Sequence, residues 1–238
     1  MALAVPTGNA AFDPEPITAD DLAAWREAVR EDARRTIEQL EQRLPGLPEA
    51  DRTRAAAALE SRERVLEHID GLPLQDIAAT KIRYHGDYHL GQVLLVSNDF
   101  FIIDFEGEPG RSLEARRAKH SPLRDVAGML SSFNYAAATA LRHYKADRPE
   151  EASRLVPIAR AWEREVCDAF LAACREAARG CSAYPAQAAQ VDALIELFRI
   201  EKSLYEVRYE LDNRPDWLGI PLDRLVRLSR GEMTEAAA

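Results

Sequence analysis

Acids, amides and imidazoles gather in one stretch of this chain, residues 83–108, RYHGDYHLGQVLLVSNDFFIIDFEGE. Asp87, His89 and Gln92 follow His85-Gly86 on a polar loop. Two apolar runs come next, at 93–96 and 100–105, separated by the turn signal Ser97-Asn98-Asp99. The pattern predicts a β-hairpin over 93–105. A hairpin folds its ends together, so Gln92 and Asp104 are expected as neighbours at one rim. Glu106 follows at the exit, and Asp87 lies a few residues away on the loop. Carboxylates with an amide oxygen are hard ligands that suit Mg²⁺, which keeps several waters and takes one or two carboxylates plus substrate phosphates. Asp104 interrupts the apolar string FIIDF. A carboxylate there is costly to bury unless it is paired, hydrogen-bonded or bound to a metal. The plainer reading is a polar loop and a hairpin with a capping Asp. HGD, an amide shortly after it and a carboxylate ending the following strand form a rarer combination than that reading needs.

The elements around this stretch read as mainly helical. Residues 1–17 hold Pro6, Gly8, Pro14 and Pro16 and read as a linker or extended lead-in. Thr18 opens a helix with Asp21 as the partner in a capping box. Leu22, Trp25, Val29, Ala33, Ile37, Leu40 and Leu44 keep helical spacing until Pro45-Gly46. A second helix is expected over 48–69, and a short strand centred on Ile82. Ser121-Pro122 reads as an N-cap and first helical position of a helix to about Tyr144. Two long helices follow at 150–180 and 187–212. A last helix covers 222–230, and 231–238 read as a disordered tail.

Composition removes some function classes. The 238 residues carry a formal net charge of −9. That argues against a nucleic-acid or anionic-membrane surface, where a basic patch is expected. No apolar run reaches membrane-spanning length. The start, MALAVPTGNAA, lacks the positive region of a signal peptide, so a cytoplasmic location is expected. Cys167, Cys174 and Cys181 recur every seven residues. On one helix, neighbours would sit about 10.5 Å apart, too far for a disulfide, and they read as core or partly buried thiols. Arg116, Arg117 and Lys119 form a basic patch that meets either phosphate or only solvent. Glu201, Tyr205 and Arg208 share a face at i, i+4 and i+7. Alone, that face reads as an ion-paired amphipathic helix.

HGDYHLGQ followed by IIDFEGEP resembles the phosphotransferase motifs of the aminoglycoside-kinase-like branch of the protein-kinase fold. Gln92 stands where the general pattern has Asn, and Glu106 takes the second acidic position. Both features are similar to the bacterial maltokinases. RRAKHSPLRDVAGMLSSFNYAA and EKSLYEVRYELDNRPDWLGIPL look like the same family. The resemblance covers about residues 80–228. It implies a kinase-like C-lobe, mainly α with one small β-hairpin. Within residues 18–230 it implies a helical insertion at 18–73, the catalytic loop and hairpin at 80–108, and a helical subdomain with a sugar site at 121–230. The implied reaction is phosphoryl transfer from ATP, with Mg²⁺, to the anomeric hydroxyl of maltose or a short maltodextrin.

By position, Asp87 resembles the catalytic aspartate that takes or orients the hydroxyl proton. Gln92, Asp104 and Glu106 resemble the metal ligands. His85 and Asp125 are implied as supports of the loop. Glu201, Lys202 and Tyr205 are implied to face the sugar, and His89 either faces it or braces the loop. In phosphoryl transfer the protein mainly positions groups and neutralises charge.

The chain has only four lysines, Lys81, Lys119, Lys145 and Lys202, and no Gly-rich phosphate loop. The expectation is therefore a C-lobe without its N-lobe, with little activity alone. Two alternatives stand beside it. One is a non-catalytic sugar-binding module or one docking trehalose synthase. The other is a kinase of another small alcohol.

Overall fold

The computed structural model describes residues 2–108, 110–150 and 152–230. In chain order the elements are β1 (Glu15–Pro16), α1 (Ala19–Arg43), α2 (Glu49–Glu60) and α3 (Arg62–Gly71), then β2 (Thr80–Lys81), β3 (Val93–Val96) and β4 (Asp99–Ile102). Five helices follow: α4 (Leu113–Arg117), α5 (Leu123–Asp147), α6 (Ala152–Ala177), α7 (Ala188–Asn213) and α8 (Gly219–Leu228). The two sheets are antiparallel pairs, β1 with β2 and β3 with β4. The mainly helical class is as expected, with a second small sheet in addition.

Contacts divide the chain into two compact units, and each is interleaved in sequence. The first joins Met1–Pro16 to Ala78–Ala186. Its helical part is α5 packed on α6, where Phe133 meets Phe170 edge-on at 5.6 Å. The Asn134 amide there donates to Glu163 at 3.0 Å. The lead-in over 1–17 is more than a linker. Glu15 and Pro16 pair with Lys81 and Thr80, and Lys119 ties Glu15 and the Ala10 carbonyl.

The second unit joins Ile17–Ile77 to the chain from Gln187 onward. Thr18 caps α1 with the expected box: its side chain accepts from Asp21 N–H, and Asp21 accepts from the Thr18 N–H. The expected helix over 48–69 is two helices broken at Ser61. Ser61 is buried, and its hydroxyl donates to the Ala58 carbonyl at 2.8 Å. A side chain bonding back onto the helix ladder competes with it and bends the chain. Leu40, Val207, Leu211, Leu218 and Leu222 share one buried cluster. Each such side chain contributes about 1.5–3 kcal/mol relative to exposure.

The hairpin is shorter than the sequence pattern predicts. Ser97 and Asn98 both take positive φ, at 50° and 67°, and Val96 pairs with Asp99. That is a two-residue turn whose twist matches the strands, so Asp99 belongs to β4. At the other end β4 stops at Ile102. Cys181 lies beyond α6, off the helix that carries Cys167 and Cys174, and all three are half-buried and outside any disulfide. The sequence also hides α4, a one-turn helix capped by Ser112. The expected tail at 231–238 lies outside the described residues. No helix among the described residues is long and apolar enough to cross a membrane.

Candidate phosphotransfer site

The loop 85–92 hangs from one face of α5. The Asp125 carboxylate accepts the His85 N–H at 2.7 Å and the Gly86 N–H at 2.9 Å. Ser132 Oγ accepts the Leu90 N–H at 2.9 Å. Between them, Gly128 lets the Tyr88 carbonyl approach the helix: a Cβ at 128 would lie 2.8 Å from that oxygen. Positions 125, 128 and 132 follow i, i+3, i+7, one stripe of the helix. Burial pushes the Asp125 carboxyl above the ordinary carboxylate range, against the two N–H groups and the nearby charges, which pull it down. The expected support by Asp125 is present in the geometry. Gly128 and Ser132 were not singled out from sequence, although the spacing D-x-x-G-x-x-x-S was there to read.

His85 is 4% exposed and ties the loop to the hairpin. Its Nδ1 accepts the Asp87 N–H at 3.2 Å, and its Nε2 lies 2.7 Å from the Ile103 carbonyl. A carbonyl only accepts, so the ring satisfies both contacts as the neutral Nε2–H tautomer. Gly86 takes φ 85°, and a Cβ there would come within 3.0 Å of the Gly107 Cα. The loop and the segment leaving the hairpin touch through these two glycines.

Asp87 is half-buried, and its Oδ2 lies 3.8 Å from His89 Nε2. His89 also accepts the Gly91 N–H at 3.0 Å, so its ring is engaged within the loop. Gln92 and Asp104 are neighbours as the hairpin required: the Gln92 amide nitrogen donates to Asp104 Oδ2 at 2.9 Å. Asp104 is exposed, which corrects the expectation of a carboxylate inside an apolar strand. It sits past β4 in left-handed backbone, φ 66°, a conformation that Asp tolerates better than most residues. Glu106 is exposed and faces Arg116, with Nη1 at 3.7 Å from Oε2. The rest of the basic patch is also engaged. The Arg117 carbonyl accepts from Arg83, and Lys119 pairs with Glu15.

The donor set fits a Mg²⁺ ion. Among the described residues no three His, Cys, Asp or Glu side chains form a ready-made cage. Mg²⁺ does not need one, because phosphate and water oxygens complete its octahedron. Asp104 offers a carboxylate, and Gln92 offers its amide oxygen once the amide rotates.

Glu201, Lys202 and Tyr205 lie on α7, in the second unit. Lys202 Nζ stands 5.0 Å from the Tyr205 ring centre, and Tyr205 stacks on Tyr209 at 6.2 Å. Arg214 lies against Tyr209 at 5.3 Å and against Trp217 at 5.6 Å. Tyr205 is therefore contacted by an ammonium and by a second ring. Arg208, on the same helix, is engaged elsewhere. It reaches α1, bonding Thr36 Oγ1 at 2.6 Å and the Asp32 carboxylate at 3.2 Å.

No protein-family model matches the chain. Two curated glucosamine kinases do. The chain is 27% identical over 214 residues to that of Streptacidiphilus jiangxiensis, covering 87% of this chain and 42% of the relative. It is 27% identical over 208 residues to that of Mycolicibacterium smegmatis, covering 87% and 46%. Solved structures of glucosamine kinase match as well. One, in crystal form A, superposes with a TM-score of 0.68 at 24% identity, over 94% of this chain and 50% of that one. Another, in complex with glucosamine, ADP and inorganic phosphate, gives 0.68 at 25%, over 92% and 47%. The chain spans about half the length of these relatives, and its fold is similar to theirs over that half.

Proposed function

We propose that this chain is the acceptor-side half of a sugar kinase, a kinase-like C-lobe that moves a phosphoryl group from ATP to a sugar hydroxyl. The observation that carries the reading is the loop-and-hairpin junction. His85 links the two parts: it accepts the Asp87 N–H and meets the carbonyl of Ile103, next to Asp104, which pairs with Gln92, while Asp125 on α5 holds the His85 N–H. In this reading Asp87 takes or orients the proton of the attacking hydroxyl. Asp104 and Gln92 hold Mg²⁺, which supplies charge neutralisation on the phosphates when bound, and Glu106 is a further ligand once it leaves Arg116. His85 and Asp125 position the loop, and His89 braces it and can face the sugar. Glu201, Lys202 and Tyr205, on α7, are the candidate sugar contacts that the resemblance implies: a carboxylate, an ammonium and a ring.

The relatives' names favour glucosamine as the acceptor. A carboxylate such as Glu201 suits an amino sugar, whose ammonium it would meet. The motif strings favour maltose phosphorylated at its anomeric hydroxyl. Calorimetric titration of the chain with glucosamine, with maltose and with MgATP separates the two acceptors. Lys202→Ala is expected to weaken binding of the true acceptor. Failure of a folded chain to bind either sugar sinks the sugar reading. In the complete enzyme, Asp87→Asn is expected to lower sugar-dependent ATP turnover by about 10²–10⁴-fold with the fold unchanged.

A further inference from the structure

His89 opens the turn Leu90–Gln92. Its carbonyl accepts the Gln92 N–H at 2.9 Å, and its Nδ1 accepts the Gly91 N–H at 3.0 Å. The ring stands over Gly91. A Cβ at 91 would lie 2.8 Å from His89 Cε1 and 3.0 Å from Nδ1, so a side chain there would displace the ring. An Nδ1 that accepts carries no proton, and the neutral ring then holds its proton on Nε2. Nε2 is the nitrogen that faces Asp87 Oδ2, at 3.8 Å. With Nδ1 engaged and Nε2 protonated, the neutral ring has no lone pair left to take a proton. Towards Asp87 it is a donor only.

We infer that His89 is a positioning residue for Asp87: its Nε2–H aims at the Asp87 carboxylate and fixes the rotation of that group as the acceptor hydroxyl arrives. The inference rests on the kinase reading above and gives His89 a task apart from the sugar. At 3.8 Å the contact is longer than a hydrogen bond. Hydrogen bonds of this kind are often long before substrate binds and tighten in the reacting complex. The two imidazoles of the loop divide the work. His85 Nδ1 holds the Asp87 backbone N–H, and His89 holds the side chain. The His89 ring also caps the turn that carries Gln92, so one side chain sets the candidate base relative to a candidate metal ligand. The hydroxyl proton passes to Asp87 as its oxygen bonds the transferred phosphorus and ADP leaves. His89 keeps its own proton throughout.

Substitutions at position 89 separate the two ring nitrogens. In the complete enzyme, His89→Ala is expected to lower kcat about tenfold to a hundredfold with the KM for the sugar little changed, as lost alignment in the transition state does. His89→Gln keeps a donor near the place of Nε2 and is expected to recover most of that loss. His89→Asn keeps an acceptor for the Gly91 N–H without that donor, so it should recover stability and not kcat. Gly91→Ala keeps the imidazole but pushes it aside, and should lower kcat as His89→Ala does. Recovery by Gln no better than by Asn overturns the inference and leaves His89 as a cap of the turn. A raised KM with kcat unchanged overturns it as well and assigns the ring to the sugar. A complete enzyme without sugar-dependent ATP turnover sinks the kinase reading, and the contact is then judged on this chain alone. There, nitrogen NMR is expected to find the His89 proton on Nε2, with the Nε2 signal shifted by Asp87→Asn. A proton on Nδ1, or an Nε2 signal indifferent to Asp87→Asn, overturns the inference whatever the turnover.

Discussion

The loop 85–90 and the hairpin 93–102 are adjacent in sequence and opposite in physics. The loop is polar and anchored: His85 is buried, and Asp125 and Ser132 meet its backbone donors. The hairpin is apolar and open, with seven of its eight strand residues exposed. The usual partition of polar outside and apolar inside is inverted across three residues. The two segments are therefore held in different ways. Backbone donors of the loop find partners on α5, some forty residues away, so packing against that helix sets its conformation. The hairpin's apolar side chains stay exposed among the described residues, so its conformation rests on its own ladder and turn.

The comparison breaks most severely at Asp125. Asp125→Ala strands the His85 and Gly86 N–H groups, at about 1–3 kcal/mol for each buried donor left unsatisfied. Denaturant unfolding should show that loss, with faster exchange confined to 84–90. Unchanged stability would mean that water replaces the carboxylate and that the loop is not held by α5. Gly128→Ala comes next. Its Cβ must push the Tyr88 carbonyl away, costing about 1–3 kcal/mol as overpacking does. Ala is otherwise the better helix former by about 0.8–1 kcal/mol. A net stabilisation would therefore show that the loop yields freely.

A third prediction concerns pH in the same unit. Burial, with Arg124 and Arg111 nearby, holds the His120 imidazole well below its usual range. The unfolded chain then binds the proton that the folded chain refuses. Stability from this residue is complete above the unfolded value of about 6.5 and is lost as pH falls below it, by at most about 1.4 kcal/mol per unit. Unfolding free energies measured between pH 7.5 and 5 check this, and His120→Gln should flatten that part of the curve. The smallest effect sharpens the contrast: Leu95→Ser or Phe100→Ser in the chain alone should change stability by no more than about 0.5 kcal/mol, as exposed substitutions do. A loss of 2 kcal/mol or more at either position would show that the hairpin packs against this chain after all.

Much of the site was legible because its signals are local. Thr18 and Asp21 cap a helix within four residues, and a turn at Ser97-Asn98 brings Gln92 to Asp104 whatever the rest of the chain does. Asp125 was legible only through the resemblance, and Gly128 and Ser132 were not read at all. Their role depends on which face of α5 meets a loop some forty residues away. The partners of Arg208 were hidden for the same reason. Its place on the Glu201 face follows from helical spacing, but its contacts with Asp32 and Thr36 are decided by the packing of α1 on α7. The break at Ser61 was missed because a serine inside a helical pattern is neutral until burial makes its hydroxyl seek a backbone carbonyl.

The sequence by itself therefore determined the mainly helical class, the hairpin and the meeting of an amide with a carboxylate at its base. These follow from periodicity, turn chemistry and chain connectivity over a few residues. Only the tertiary structure decided that residues 17–77 form one unit with the chain after 187, that α5 carries the loop, and that Asp104 is exposed. Apolar strings such as VLLV and FFII state a demand for burial and do not say whether the chain meets it. That outcome depends on contacts between distant segments, which local patterns do not encode.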